Sequence, residues 1–211
     1  EMSLSNNRMV AETMARGVEA IQRQAVKGDQ TASDWDAAAY QEILTSFVGS
    51  NPETFGGGIW FEPYQYRPEQ RYFSPYCMRQ NGAVTYVDNY SLGEGVYYTD
   101  QDWYTNAANT TQKSVWSAPY YDEFAQISMV TSSAPIYDET GRLLGVATAD
   151  IDLTQMQQMV LSLDVVANGR AFLIDDTGVY IADEDSEKLL SANILEDDNP
   201  SFAALGRQIL S

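Results

Sequence analysis

The chain has no histidine and a single cysteine, Cys77, in 211 residues. These absences exclude a Cys/His zinc site, a histidine general base and a disulfide within the chain. A lone thiol in a strand-like segment reads as a small core hydrophobe, and the compartment cannot be read from it. Basic residues are scarce too. Twelve Lys and Arg face thirty Asp and Glu, a formal net charge of −18. Such a field repels nucleic acid and anionic lipid headgroups and favours cationic or neutral partners. No apolar run approaches the ~20 residues that cross a bilayer, and the first segment does not read as a signal peptide. It reads as the middle of a helix, so the chain is expected to be a soluble fragment of a longer protein.

What the chain does hold is apolar and aromatic, 44% and 12% of its residues respectively. That is enough for a true core, and the length suits one large domain or one and a half ordinary ones. Residues 5–27 lack proline and read as a helix. Val10, Met14, Gly17, Ile21 and Gln24 fall at alternating spacings of four and three, a narrow seam that would suit a parallel homodimer. Packing of the same stripe on its own domain is the alternative. A second helix is expected over Ser33 to Val48, capped by Ser33 or Asp34 and closed by Gly49.

From Gly56 to Leu153 the pattern changes to short strands. Gly58–Phe61, Tyr72–Arg79 and Ala83–Asp88 are expected, the last two joined across Asn81-Gly82, a strong hairpin signal. Ser128–Tyr137 and Leu143–Ile151 flank a second turn, Asp138-Glu139-Thr140-Gly141. Thr154–Leu163 reads as a helix capped by Thr154, with Met156, Met159, Val160 and Leu163 on one face. Ala171–Ile174 and Val179–Ala182 then flank Asp175-Asp176-Thr177-Gly178, a turn that echoes the earlier one. The fold class is α+β: a long N-terminal helix, then tandem modules with antiparallel sheets, the second of them truncated.

Several motifs have ordinary explanations. Asp176-Thr177-Gly178 matches the aspartic-protease signature, but that chemistry needs two such loops, and the near-copy carries Glu139. A turn explains both. Asp183-Glu184-Asp185 and Glu196-Asp197-Asp198 lack the ligand spacing of a calcium loop and read as solvated loops. Gly56-Gly57-Gly58 precedes a strand and not a helix, so it is no phosphate loop. A hydrolase using an Asp/Glu pair is the alternative function, although nothing singles out a pair. No metal or cofactor is expected.

The most informative stretch runs from Trp103 to Asp152. Trp103, Tyr104, Trp116, Tyr120 and Tyr121 lie among Asp100, Asp102 and Asp122, without a catalytic nucleophile. A buried carboxylate beside aromatic faces is costly unless a cation or several donors satisfy it. This chemistry suits holding a small ligand better than transforming it.

These residues resemble the extracytoplasmic double Cache (PAS-like) sensor domain of bacterial transmembrane receptors. The matching segments are Ile59-Trp60-Phe61-Glu62-Pro63, Tyr72-Phe73-Ser74-Pro75-Tyr76, Asp102-Trp103-Tyr104, Pro119-Tyr120-Tyr121-Asp122 and Gly145 through Asp152, in the family's order. The resemblance implies N-terminal signalling helices over 1–48 and a membrane-distal ligand-binding module over 49–153. A linking helix would follow over 154–168, then a partial membrane-proximal module over 169–211. It also implies a small-molecule ligand, with ligand-binding residues Tyr97, Tyr98, Gln101, Trp103, Tyr104, Tyr120, Asp122 and Asp150. In amino-acid-sensing relatives an Arg grips the ligand carboxylate where this chain has Gln101. A Tyr and a late Asp grip the amino group, and Tyr97 or Tyr98 and Asp150 match them. A cationic amine is therefore the expected ligand, with an amino acid or small carboxylate as the alternative. The output module, whether kinase, chemotaxis, cyclase or phosphatase, would lie outside the chain, as would any membrane contact.

Overall fold

A computed structural model describes residues 2–27, 37–87, 90, 95–163, 169–175 and 177–211. The expected caps Ser33 and Asp34, the strand end at Asp88, the end of the linking segment and Asp176 lie outside them. The chain forms two compact units, Glu1–Ser117 with Thr131–Ile151, and Ala118–Val130 with Asp152–Ser211.

The first unit opens with helix α1 (Met2–Lys27) and helix α2 (Ala37–Ser50). Among the described helices none is long and apolar enough to cross a membrane. Strands β1 (Gly56–Phe61), β2 (Tyr76–Gln80) and β3 (Ala83–Val87) follow, and then helix α3 (Asp102–Ala108). Next along the chain come β4 (Val115–Trp116), then β5 (Tyr120–Asp122), which is counted with the second unit, then β6 (Ile127–Tyr137) and β7 (Leu143–Asp152). The sheet runs β3-β2-β1-β7-β6-β4, and β5 pairs antiparallel with the first residues of β6.

One apolar core holds the helices to the sheet. Val10, Ala11, Met14, Ala15 and Val18 of α1 and Tyr40, Leu44 and Val48 of α2 pack with Ile59, Phe61, Cys77, Ala134, Ile136, Ala147 and Ala149. The helical residues recur at three- and four-residue spacings, and the strand residues alternate. Val10 and Met14 are thus spent inside their own unit, and Ile21 is buried as well. Three of the five residues of the seam expected to drive a homodimer are therefore covered within their own unit. Cys77 is the core hydrophobe its surroundings suggested, and burial pushes its thiol pKa up.

Three local expectations are corrected. Gly56-Gly57-Gly58 lies inside β1, not before it, whereas β2 begins only at Tyr76. Trp103 and Tyr104 sit on α3 and not on a strand; Asp102 starts that helix, where a carboxylate meets the positive end of the dipole. Helix α4 (Leu153–Leu161) is capped by Asp152, whose carboxylate accepts from Thr154 N at 2.8 Å. Of its expected apolar face, Met156 and Val160 are buried while Met159 and Leu163 are exposed.

The turns follow the sequence closely. Asn81 and Gly82 have φ values of 51° and 81°, as a two-residue hairpin loop of this kind requires. Asp138 Oδ1 accepts from Thr140 N, the Thr140 hydroxyl and Arg142 N at 2.8, 2.6 and 3.0 Å. Asp175 Oδ1 accepts from Thr177 N, the Thr177 hydroxyl and Val179 N at 2.9, 2.8 and 2.9 Å. The two turns are copies of one another. The first joins β6 to β7, and the second joins β8 (Leu173–Ile174) to β9 (Tyr180–Ala182) in a separate two-stranded sheet. Helix α5 (Pro200–Ile209), capped by Asn199, completes the second unit.

Candidate functional site

The strand register of the first unit sorts its side chains onto two faces. Gly56 pairs with Asp150 and Gly58 with Thr148 on β7, and Gly58 pairs with Tyr76 on β2. Alternation places these residues and Trp60 on the face opposite the helical core. Asp150 is 3% exposed. Its Oδ2 accepts from the Tyr76 hydroxyl at 2.7 Å and its Oδ1 from the Thr131 hydroxyl at 2.8 Å. Hydroxyl donors to a carboxylate are strong, so they fix both oxygens in place.

Aromatic rings cluster around Trp60, on the same face of the sheet as this carboxylate. The Trp60 indole N–H donates to Thr148 Oγ1 at 2.8 Å. Ring centroids of Trp103, Tyr90, Tyr98 and Tyr76 lie 4.7, 5.1, 5.5 and 5.8 Å from that of Trp60. Tyr76 and Tyr90 meet at 4.9 Å. All five are buried. This face therefore sets carboxylate oxygens beside aromatic rings, whose faces carry negative potential.

The residues expected from sequence are placed as follows. Asp150 and Trp103 belong to this cluster. Tyr98 joins it through its ring, while its hydroxyl donates to the Phe61 carbonyl at 2.5 Å. Tyr104 packs on Tyr98 at 5.6 Å and donates its hydroxyl to Glu62 Oε1 at 2.6 Å. Burial pushes both phenol pKa values up, with Glu62 adding to the effect at Tyr104, so both stay neutral donors. Tyr97 is 40% exposed and stacks on Tyr72 at 5.0 Å, under the Arg71 guanidinium. Gln101 precedes α3 and its amide donates to the Tyr97 carbonyl at 3.4 Å. Tyr120 and Asp122 belong to the second unit, where Tyr120 pairs with Met129 and the buried Asp122 accepts from Ala125 N at 2.7 Å.

Trp60, Tyr76, Tyr90, Thr131 and Thr148 were missed. Trp60 and Tyr76 stand in segments that carry the family resemblance, and the Ala-Thr-Ala-Asp alternation at 147–150 was the signal for Thr148. Thr131 and Tyr90 had none, because only the folded register and loop path bring them to the site.

In the second unit the acidic loops are solvated at Glu184, Asp185, Glu196 and Asp198, as expected, but one carboxylate of each loop is not. Asp183 is fully buried and ion-paired with Arg170. Asp197 accepts from Lys188 Nζ and the Tyr180 hydroxyl, each at 2.7 Å. Burial opposes ionisation of Asp197, but those donors outweigh it and hold its pKa down to about 2.

The family described as "Methyl-accepting chemotaxis protein-like, first PDC sensor domain" matches residues 40–158. The methyl-accepting chemotaxis protein McpC of Bacillus subtilis (strain 168) is 38% identical over 84 residues, 40% of this chain. The chain spans only 13% of the length of McpC. The extracellular domain of the candidate histidine kinase mmHK1S-Z3 superposes with a TM-score of 0.77 at 21% identity, over 98% of this chain and 73% of that one. The ligand-binding domain of the Pseudomonas aeruginosa PAO1 amino acid chemoreceptor PctC, solved with GABA, gives 0.54 at 21%, over 92% and 77%. At that identity the two structures bear on the fold alone. The matched span carries strands β1 to β7 and the carboxylate–aromatic face. This chain belongs to the methyl-accepting-chemotaxis-protein-like first PDC (Cache-type) sensor domains, the extracytoplasmic sensor part of a membrane receptor.

Proposed function

We propose that the Asp150 face of the first unit binds a small cationic amine, and that binding is reported to an output module elsewhere in the receptor. The observation that carries this is the buried Asp150 carboxylate, oriented by two hydroxyls beside the rings of Trp60, Tyr76, Tyr90 and Trp103. A cation over an aromatic face gains ~0.5–2 kcal/mol. A charge-assisted hydrogen bond to the carboxylate adds about 1.5–3 kcal/mol. The net charge of −18 favours the same sign of ligand. Gln101, standing where the resemblance puts a carboxylate-gripping Arg, supports an amine over an amino acid. The GABA bound by PctC carries an ammonium group, which is the half of that ligand this site suits. Residues 49–153 would be the ligand-binding module, followed by a linking helix over 154–168. The repeated Asp-x-Thr-Gly turn supports a second, partial module over 169–211.

The test is a thermal-shift screen with ethanolamine, choline, GABA, L-arginine, acetate and succinate. At about 100-fold above its dissociation constant, a true ligand stabilises by roughly 2.7 kcal/mol. For this length that is a melting shift on the order of 5–10 °C. Asp150→Ala erases the shift, and Gln101→Ala leaves most of it. Shifts with succinate or acetate and none with amines would refute the amine while leaving the sensor domain intact. With no histidine in the chain and no activated nucleophile among the described residues, the domain itself is expected to turn over no glycoside or ester. Hydrolysis abolished by one Asp substitution would refute that.

A further inference from the structure

The triple glycine of β1 has no role in the reading above, yet its three residues face two different surfaces. A Cβ on Gly57 would point to the helical core, 3.3 Å from Met14 Cε and 3.5 Å from Val48 Cγ2. A Cβ on Gly56 would overlap the Tyr76 hydroxyl and stand 2.6 Å from Tyr76 Cζ. A Cβ on Gly58 would lie 2.7 Å from Trp60 Cε2 and 2.8 Å from Trp60 Nε1. Real Cβ atoms do not approach so closely, and both rings are buried and held by hydrogen bonds, so neither can step aside freely. Glycine inside a strand costs stability and marks a place where another group comes close to the backbone. Here two groups do. The Tyr76 hydroxyl lies over Gly56, beside the Asp150 that Gly56 pairs with. The Trp60 indole folds back over Gly58, beside the Thr148 that Gly58 pairs with.

We propose that Gly56 and Gly58 are positioning residues of the binding site, each an empty seat that lets one ring lie on β1 and reach its β7 partner. Gly56 seats the Tyr76 hydroxyl that orients Asp150. Gly58 seats the Trp60 indole around which the other rings gather. Neither glycine touches a ligand, and both set what a ligand meets. The inference deepens the amine reading and rests on it for the ligand, but the seats themselves can be tested with no ligand present.

The first arm follows the Trp60 indole N–H in protein labelled with ¹⁵N on tryptophan, assigned by its loss in Trp60→Phe. In the parent protein it exchanges slowly, because it is buried and bonded to Thr148. Gly58→Ala speeds that exchange on the order of tenfold by unseating the ring. Gly49→Ala, whose Cβ would meet nothing within 4 Å, leaves it unchanged. The second arm is non-additivity. Gly58→Ala lowers the melting temperature of the parent protein but has little further effect once Trp60→Phe, whose smaller ring vacates the seat, is in place. Gly56→Ala likewise has little further effect once Tyr76→Leu has emptied its seat. The third arm uses ethanolamine as the probe. Gly56→Ala and Gly58→Ala each raise its dissociation constant on the order of tenfold, the first by misplacing the carboxylate's hydrogen-bond donor and the second by misplacing a ring face. Unchanged Trp60 exchange in a folded Gly58→Ala protein, or additive effects in both double variants, would overturn the seats. If no amine binds the parent protein while the first two arms hold, only the amine reading falls.

Discussion

The two faces of the first unit's sheet are built from the same strands and obey opposite rules. On the helical face Ile59, Phe61, Cys77, Ala147 and Ala149 interlock with Tyr40, Leu44 and Val48, none of them a charged side chain. On the other face Gly56, Gly58, Trp60, Tyr76, Thr131, Thr148 and Asp150 form a buried polar–aromatic network in which hydrogen bonds fix the rings of Trp60 and Tyr76. The first face holds the fold through volume and area. The second holds a geometry, and it keeps a carboxylate out of water to do so. A sensor needs both: a face that resists change and one whose energy shifts when a ligand arrives.

The comparison breaks first at Phe61, which packs edge-on against Tyr40 at 5.5 Å and beside Tyr66 and Phe73. Phe61→Ala leaves a cavity and costs about 3–5 kcal/mol. Thermal melting should fall by roughly 6–20 °C. Near-parental melting would show that the helical face is not the structural one. On the other face Tyr76→Phe removes one donor from Asp150 and keeps the ring. It costs about 1–3 kcal/mol in denaturant unfolding, the penalty of a buried acceptor losing a partner. A stabilised variant would mean that the hydroxyl serves Asp150 poorly. Thr148→Val is smaller, about 0.5–1.5 kcal/mol, and its signature is an upfield move of the Trp60 indole proton.

Buried acids sharpen the same contrast. Asp183 and Asp197 in the second unit are neutralised by Arg170 and Lys188 of the protein itself, whereas Asp150 is oriented by the hydroxyls of Tyr76 and Thr131. Because the folded pKa of Asp197 is lowered from 3.8 to about 2, its contribution is fully present above its unfolded value. It is lost as pH falls from about 4 towards 2. Lys188→Met should flatten the acid side of the stability profile over that window, and an unchanged profile would remove Asp197 as its source.

Much of this architecture was legible in the chain. The alternation at 147–150, the Asn81-Gly82 hairpin and the paired Thr-Gly turns are local patterns, and each turn folds as its residues dictate. The helix at 102–108 was not legible, because Trp103 and Tyr104 favour strands and only burial of Trp103, Tyr104 and Ala107 on one side decides for a helix. Asp183 read as solvent-facing because its partner, Arg170, lies thirteen residues earlier and nothing local announces the pair.

The sequence by itself determined the class of chemistry: no histidine, one thiol, an excess of carboxylates among aromatics, and strands whose period of two separates an apolar face from a polar one. Local propensity and side-chain chemistry suffice for that, since they act over a few residues. The tertiary structure alone decided which carboxylate is buried, which hydroxyls hold it and why β1 is bare where it is. Those outcomes join Gly56, Tyr76, Thr131 and Asp150, residues as far as 94 positions apart, and only the register of β1 between β2 and β7 brings them together.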